Sequence, residues 1–361
     1  MKRRAPFVGL CLVLSACGGV RDRIHALPPP ASARFDAREL IDVLPPGRIP
    51  AIDHPRFSSG AGAAEWLDAR EPVVVVSVDA DARAYPLAIL VWHEVVDDTI
   101  GGVPLVVTYS PLCNAALAFD RRVGGRTESF SASGKLYRSD LVMVDRRSKS
   151  LWTQLNGRAV AGPAKGSTLA AIPAQIASLA EFRDAYPAGS VLARPEGTLR
   201  GYGFNPYAGY DARRGPFPGF FALALDRRLP AMDRIVGVAD GGEAHAFRYR
   251  ALEHEGLVAG RVGGRDIVVL WRPDTRSALD TADMSKGHDV GSAGVFHPVV
   301  AGRRIDLSAT ADGFRDRQTG STWNVLGVAT AGTLRGERLE AVPHADAMWF
   351  AWAAFYPGTV T

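Results

Sequence analysis

The sequence predicts a β-rich α+β protein made of two copies of one mixed β unit, a tandem internal duplication with few short helices. Three observations predict it: short β-branched runs bounded by glycine or proline, few stretches that read as helix, and a long series of residues that repeats in one order. Val76-Ser-Val-Asp-Ala-Asp-Ala-Arg-Ala-Tyr85 aligns with Gly237-Val-Ala-Asp-Gly-Gly-Glu-Ala-His-Ala-Phe247 when the second copy takes one extra residue. Leu90 then meets Leu252, and Gly101-Gly-Val-Pro-Leu-Val-Val107 meets Gly263-Gly-Arg-Asp-Ile-Val-Val269. Further on, Val123-Gly-Gly-Arg126 matches Val300-Ala-Gly-Arg303, and Asp145-Arg146 through Trp152 matches Asp316-Arg317 through Trp323. Ala161-Gly162 matches Ala331-Gly332, and Tyr186-Pro187 matches Tyr356-Pro357.

The chain opens with Met1-Lys-Arg-Arg4, an apolar run from Phe7 to Leu14, and Ser15-Ala-Cys17-Gly18. That is a basic n-region, a short h-region and a small-residue cleavage context, too short to span a bilayer. Leu14-Ser-Ala-Cys17 resembles the bacterial lipobox, so residues 1–16 read as a lipoprotein signal peptide and Cys17 as the lipidated residue. Gly18 in place of aspartate implies, by the same resemblance, the periplasmic face of the outer membrane. No second long apolar run follows, so the expectation is an extracytoplasmic protein tethered to the membrane at one end only. Residues 17–48, with Pro28-Pro-Pro30 and Pro45-Pro46, form a proline-rich tether. Removing residues 1–16 takes away Lys2, Arg3 and Arg4, and the formal net charge falls from +4 to +1. A chain so near neutrality offers no electrostatic case for nucleic acid.

Residues 49–195 make the first unit. Pro72-Val-Val-Val-Val-Ser77 and Pro104-Leu-Val-Val-Thr108 read as buried strands, and Val123-Gly-Gly-Arg126 as a hairpin turn. Pro86 to about Trp92 and Ser178 to Tyr186 read as helices, the second stopped by Pro187. Residues 196–228 are a connector rich in glycine, proline and aromatics. Its Tyr207 and Tyr210 are candidate stacking residues for a ligand, although an ordered connector packing its rings on both units is the plainer expectation. Residues 229–361 make the second unit, closed by an apolar helix from Ala345 to Phe355. Trp152 and Trp323, at matching places, are expected in the core.

The chemistry centres on Cys113. Cys11 and Cys17 fall in the export segment, which leaves one thiol in the body of the protein, in a compartment where a lone thiol is buried, metal-bound or used. His93 lies just before the Gly101-Gly102 turn, and the strand that follows leads to the Ser110-Pro111 turn that presents Cys113. If those strand ends meet, Cys113 and His93, with Glu94 or Asp97 beside them, would make a metal site suited to copper or zinc. Alternatively the imidazole would activate the thiol as a nucleophile. Equally, Cys113 is an inert core residue, free cysteine being among the most buried residue types. His54, His288, His297 and His344 show no ligand spacing and read as structural or surface residues. No Walker-type phosphate loop and no nucleophile-elbow serine is present.

The motifs Ala82-Arg-Ala-Tyr-Pro86, Trp92-His-Glu-Val-Val-Asp97, Thr108-Tyr-Ser-Pro-Leu-Cys-Asn114, Phe119-Asp-Arg121 and Leu151-Trp-Thr-Gln-Leu155 resemble those of a bacterial and archaeal family known as domain of unknown function 3179. The resemblance covers roughly residues 45 to 361 and implies no assigned activity. Family members commonly carry Cys-Pro-Leu-Cys where this chain has Ser110-Pro-Leu-Cys113, so a dithiol is reduced here to one sulfur. The duplication supplies an internal control, because Tyr109 meets Trp271, Ser110 meets Arg272, Pro111 meets Pro273 and Cys113 meets Thr275. The turn is kept and the thiol is not. Two expectations follow: a membrane-tethered protein with a Cys/His metal or thiol site in its first unit, or a non-catalytic envelope binding or assembly module with Cys113 in its core.

Overall fold

The computed structural model describes residues 25–26, 35–197 and 200–361. The expected signal segment, Cys17 and part of the tether lie outside the described residues. Strand makes up 42% and helix 12%, so the fold is β-rich with few helices, as predicted.

After short strands Leu40–Asp42 and Phe57–Ser59 and a turn of helix at Gly60–Ala63, the first half enters the hairpin Pro72–Val78 and Asp81–Pro86, whose valine run is buried on both faces. Such a strand reads as continuous rather than alternating apolar sequence. Helix Leu87–His93 follows, with all but Trp92 buried. Next come strands Val95–Ile100, Val103–Ser110 and Ala115–Asp120, paired as an antiparallel meander. The predicted glycine turn is present, between the paired segments Arg122–Val123 and Arg126–Thr127. A hairpin of Phe130–Tyr137 and Asp140–Asp145 continues into Leu151–Thr153 and Arg158–Ala161. Strand Ala174–Ser178 then returns to Pro72–Val78, and Ser178 with Glu181 forms a capping box that starts helix Leu179–Ala185.

Elements of the second half come in the same succession: Arg234–Asp240, Glu243–Arg248, helix Tyr249–Glu255, Leu257–Val262, Arg265–Arg272 and Ser292–His297. A hairpin of Leu307–Thr310 and Gly313–Asp316 follows, then Thr322–Trp323 and Ala329–Ala331. The expected helix from Ala345 to Phe355 is shorter than its apolar pattern suggests. Ala345–Met348 is a strand, because Arg234–Gly237 offers it a ladder, and the helix begins at Trp349 and ends at Phe355.

The halves are interlocked. One apolar cluster joins Val73 and Leu90 to Phe296 and Trp323, and another joins Phe119 and Trp152 to Ile235 and Trp352. Main-chain and side-chain bonds cross between them: Met348 N–H donates to the Cys113 carbonyl at 2.8 Å, and the Gln175 amide donates to the Val325 carbonyl at 3.1 Å. Trp152 and Trp323 are fully buried, as expected. Each donates its indole N–H to an aspartate at 3.0 Å, Trp152 to Asp145 and Trp323 to Asp316.

Candidate functional site around Cys113

Cys113 sits in the turn between Val103–Ser110 and Ala115–Asp120, closed by its own N–H donating to the Ser110 carbonyl at 3.2 Å. Asn114 then takes a left-handed conformation (φ 53°), which asparagine tolerates better than most residues. Three elements clamp this turn from outside it. Met348 holds the Cys113 carbonyl, the Tyr210 hydroxyl donates to the Leu112 carbonyl at 2.9 Å, and the Ser110 hydroxyl accepts from Leu141 N–H at 3.2 Å.

The thiol is fully buried and donates to the Ser139 carbonyl at 3.1 Å. Burial pushes it well above its ordinary range, the Asp140 charge adds to that, and the Ser110 hydroxyl opposes it. At neutral pH Cys113 is therefore a thiol, a hydrogen-bond donor rather than a nucleophile. Ser139 and Asp140 come from the tip of the Phe130–Tyr137/Asp140–Asp145 hairpin. Arg138 and Ser139 at that tip are both left-handed (φ 56° and 65°), although glycine or asparagine is the usual occupant of such a turn.

Asp140 is fully buried, and burial raises its carboxyl to about 7 against the pull of Leu155 N–H (2.9 Å), Ser110 and Cys113. Glu94 completes the group. Burial, reinforced by the charge of Asp140, raises its carboxyl to about 8. Among the described residues it has no hydrogen bond or ion pair, although its side chain is only partly buried. The Tyr207 hydroxyl, pushed upward by burial, also feels the Glu94 charge. Four buried polar atoms here have no hydrogen-bond partner among the described residues: Ser139 Oγ, Asp140 Oδ1, Gln154 Oε1 and the Tyr356 hydroxyl, which feels the Asp140 charge. Buried polar groups are nearly always satisfied, and these four are among several on the described residues that are not, Trp271 Nε1 and His344 Nε2 being others.

Glu94 caps helix Leu87–His93 with φ 58° and ψ −29°. Its N–H donates to the Leu90 carbonyl at 2.8 Å and its carbonyl accepts from Tyr109 at 2.9 Å. At the matching end of helix Tyr249–Glu255 stands Gly256, φ 70° and ψ −32°, bonded in the same way to Leu252 (2.7 Å) and Trp271 (2.8 Å). Glycine is the natural residue there, and a residue with a side chain costs about 1–2 kcal/mol. The rest of the group lacks a counterpart as well. Thr275 at the Cys113 position shares hydrogen bonds with Ser292 and Glu181, Val325 stands at the Gln154 position, and the strand of Asp140 has six residues against four in Gly313–Asp316.

His93 does not join this group. Its Nδ1 is 2.7 Å from the Pro50 carbonyl and its Nε2 2.8 Å from the Tyr202 hydroxyl, with the Tyr202 ring stacked on it. Both ring nitrogens are thus used in fixing residue 50 and the connector, and burial lowers its pKa. Asp97 likewise serves another cluster, accepting from Phe130 N–H at 3.0 Å beside Arg121 at 3.6 Å, with burial raising it to about 6. Among the described residues no group of three or more histidine, cysteine, aspartate or glutamate side chains is placed to hold a metal ion. Tyr210 is not an exposed stacking platform. It is 1% exposed, with Phe217 against its ring at 4.9 Å. Tyr207 is partly buried and packs against both main clusters, whereas Phe204 of the same connector is exposed.

A family model described as "Protein of unknown function (DUF3179)" matches residues 46–359. The chain belongs to this family. A search of curated proteins and a search of solved structures found no match. Asp140, Ser139 and Gln154 escaped the sequence reading because they lie far along the chain from Cys113. A stretch without glycine at Arg138-Ser139, and the place of Gln154 in the motif Leu151-Trp-Thr-Gln-Leu155, were the available signals.

Proposed function

We propose that the first half of this DUF3179 chain carries a general acid–base site formed by Glu94, Asp140 and Cys113, on a protein held at the extracytoplasmic face of a membrane by lipid on Cys17. The second half, in this reading, is a duplicate of the first that has kept the frame and not the chemistry. The observation that carries the reading is Glu94: an unpaired acid in a backbone conformation that favours glycine, at a position where the other half has glycine. Strain of this kind persists where the surrounding structure over-determines it, and it clusters at functional sites. Carboxyls near 7 and 8 exchange protons readily at neutral pH, the condition for efficient proton transfer. Glu94, the more accessible of the two, is the group that meets substrate. Asp140 lies behind it, and Cys113 stays protonated as a donor. The Cys113–His93 pairing is not carried forward, since both nitrogens of His93 have other partners.

Stability and titration test this together. Glu94→Gly is expected to raise unfolding stability by about 1–2 kcal/mol while emptying the site, and carbon-13 NMR is expected to find Glu94 titrating near 8. A loss of stability in Glu94→Gly, or a Glu94 that titrates in the ordinary carboxylate range, would refute it. Elemental analysis of protein isolated from its own envelope separates this reading from a metal-bound one. Copper or zinc that is retained by the protein and lost in Cys113→Ser would replace it.

A further inference from the structure

A second site lies between the halves. A cavity of about 200 Å³ opens where Pro72–Val78 and residues 172–175 face Ser292–His297 and residues 338–344. Its walls are largely apolar, including Val75, Ile172, Val295 and Phe296. Polar groups interrupt them, among them Ser77, Gln175, Asp240 and two histidines, His297 and His344, which are 7% and 5% exposed. Each sets its Nδ1 against a main-chain carbonyl, His297 against Asp266 at 2.7 Å and His344 against Val342 at 2.8 Å. A carbonyl only accepts, so a neutral ring in either place keeps its proton on Nδ1 and presents Nε2 as an acceptor. The Nε2 of His344 is buried without a partner, and the Nε2 of His297 makes no hydrogen bond among the described residues. The guanidiniums beside the cavity are already engaged. Arg265 binds Glu340 at 2.9 Å, while Arg338 donates to the Asp79 carbonyl at 2.9 Å and lies over the Tyr186 ring at 4.7 Å.

We infer that this cleft is a binding site for a small, neutral, single-ring molecule that donates a hydrogen bond, with the imidazole Nε2 atoms as acceptors. Size sets the first part, because an apolar cavity of about 150 Å³ accommodates benzene. The unused acceptors set the second: a buried acceptor without a donor is costly, and a ligand O–H or N–H removes that cost. Its position fits too, since small-molecule sites favour interfaces between folding units. In the sequence His297 and His344 have no role beyond structure, because their common property is a ring orientation set by main-chain carbonyls, Asp266 for His297 and Val342 for His344.

The test compares p-cresol with toluene, two probes of nearly the same size that differ by one hydroxyl, on the full chain by calorimetric titration. p-Cresol is expected to bind about tenfold more tightly, the effect of one net hydrogen bond. His344→Leu or His297→Leu is expected to bring the ratio close to one while toluene still binds, which shows that the cavity is intact. In the unaltered protein with nitrogen-15-labelled histidine, p-cresol is expected to shift an Nε2 resonance and toluene to leave it in place. Absence of binding by either probe, a ratio that survives in the double variant, or unmoved Nε2 resonances would each overturn the proposal.

Discussion

The two halves of the chain agree where the backbone must be held and differ where acids are buried. Asp145 accepts from the Trp152 indole, from Ser148 N–H and hydroxyl, and from Ser150 N–H. Asp316 accepts from Trp323, Thr319 and Ser321 in the same pattern. Burial alone would raise both carboxyls, but these donors outweigh it and hold both below the usual range. Near Cys113 the balance is reversed, because at fully buried Asp140 and partly buried Glu94 burial outweighs the donors and raises both carboxyls. Where donors outweigh burial, as at Asp145 and Asp316, the acid stays ionised and fixes the frame. Where burial outweighs them, as at Asp140, Glu94 and even the well-bonded Glu181, the carboxyl is raised and holds its proton more tightly.

Removing the frame gives the largest effect. Trp152→Ala and Trp323→Ala are each expected to cost about 3–5 kcal/mol in urea unfolding. A large effect in only one half would break the equivalence drawn between them. The helix ends give the next largest. Gly256→Ala is expected to cost at least about 1–2 kcal/mol, since the new Cβ would lie 2.9 Å from that of Ala309 at a left-handed backbone. It is the mirror of the gain expected for Glu94→Gly, and two changes of the same sign would end the argument from strain.

The dependence on pH sharpens the contrast further. Glu94 and Asp140 bind protons more tightly folded than unfolded, whose reference values are 4.5 and 3.8. Between those values and about 8 the native state holds protons that the unfolded chain has released, so these groups make stability fall as pH rises through that window. Glu94→Gln should flatten the upper part of the slope, whereas Glu337→Gln, at an exposed acid of the other half, should leave it unchanged. Thermal midpoints across pH measure both. The smallest effect belongs to Cys113→Ser, expected within about 1 kcal/mol because a hydroxyl can still donate to the Ser139 carbonyl. The native thiol should react with maleimide only as fast as the protein opens, and rapid labelling would show a more exposed Cys113 than this fold gives it.

Much of the fold was legible because strands and turns write themselves locally. The valine run at residues 73–76, the glycine turn at 124–125 and the capping box of Ser178 and Glu181 are all readable from a few adjacent residues. The limit appears at Ala345–Met348, whose apolar pattern suits a helix and whose ladder partner, 108 or more residues upstream at Arg234–Gly237, makes it a strand. The site shows the same limit. Sequence singled out Cys113 and Glu94 but paired the thiol with His93, its near neighbour along the chain, while the fold turns His93 towards Pro50 and Tyr202 and brings Asp140 to the sulfur.

By itself, then, the sequence determined the β-rich class, the family, the repeating order of elements and the single thiol in the body of the protein, because each depends on short-range pattern or on composition. Tertiary structure alone decided at which acids burial outweighs the donors, that Glu94 takes a glycine's backbone conformation, and that a cleft between the halves holds two imidazole acceptors. Those properties depend on burial and on hydrogen-bond partners drawn from distant segments, and no local pattern encodes them.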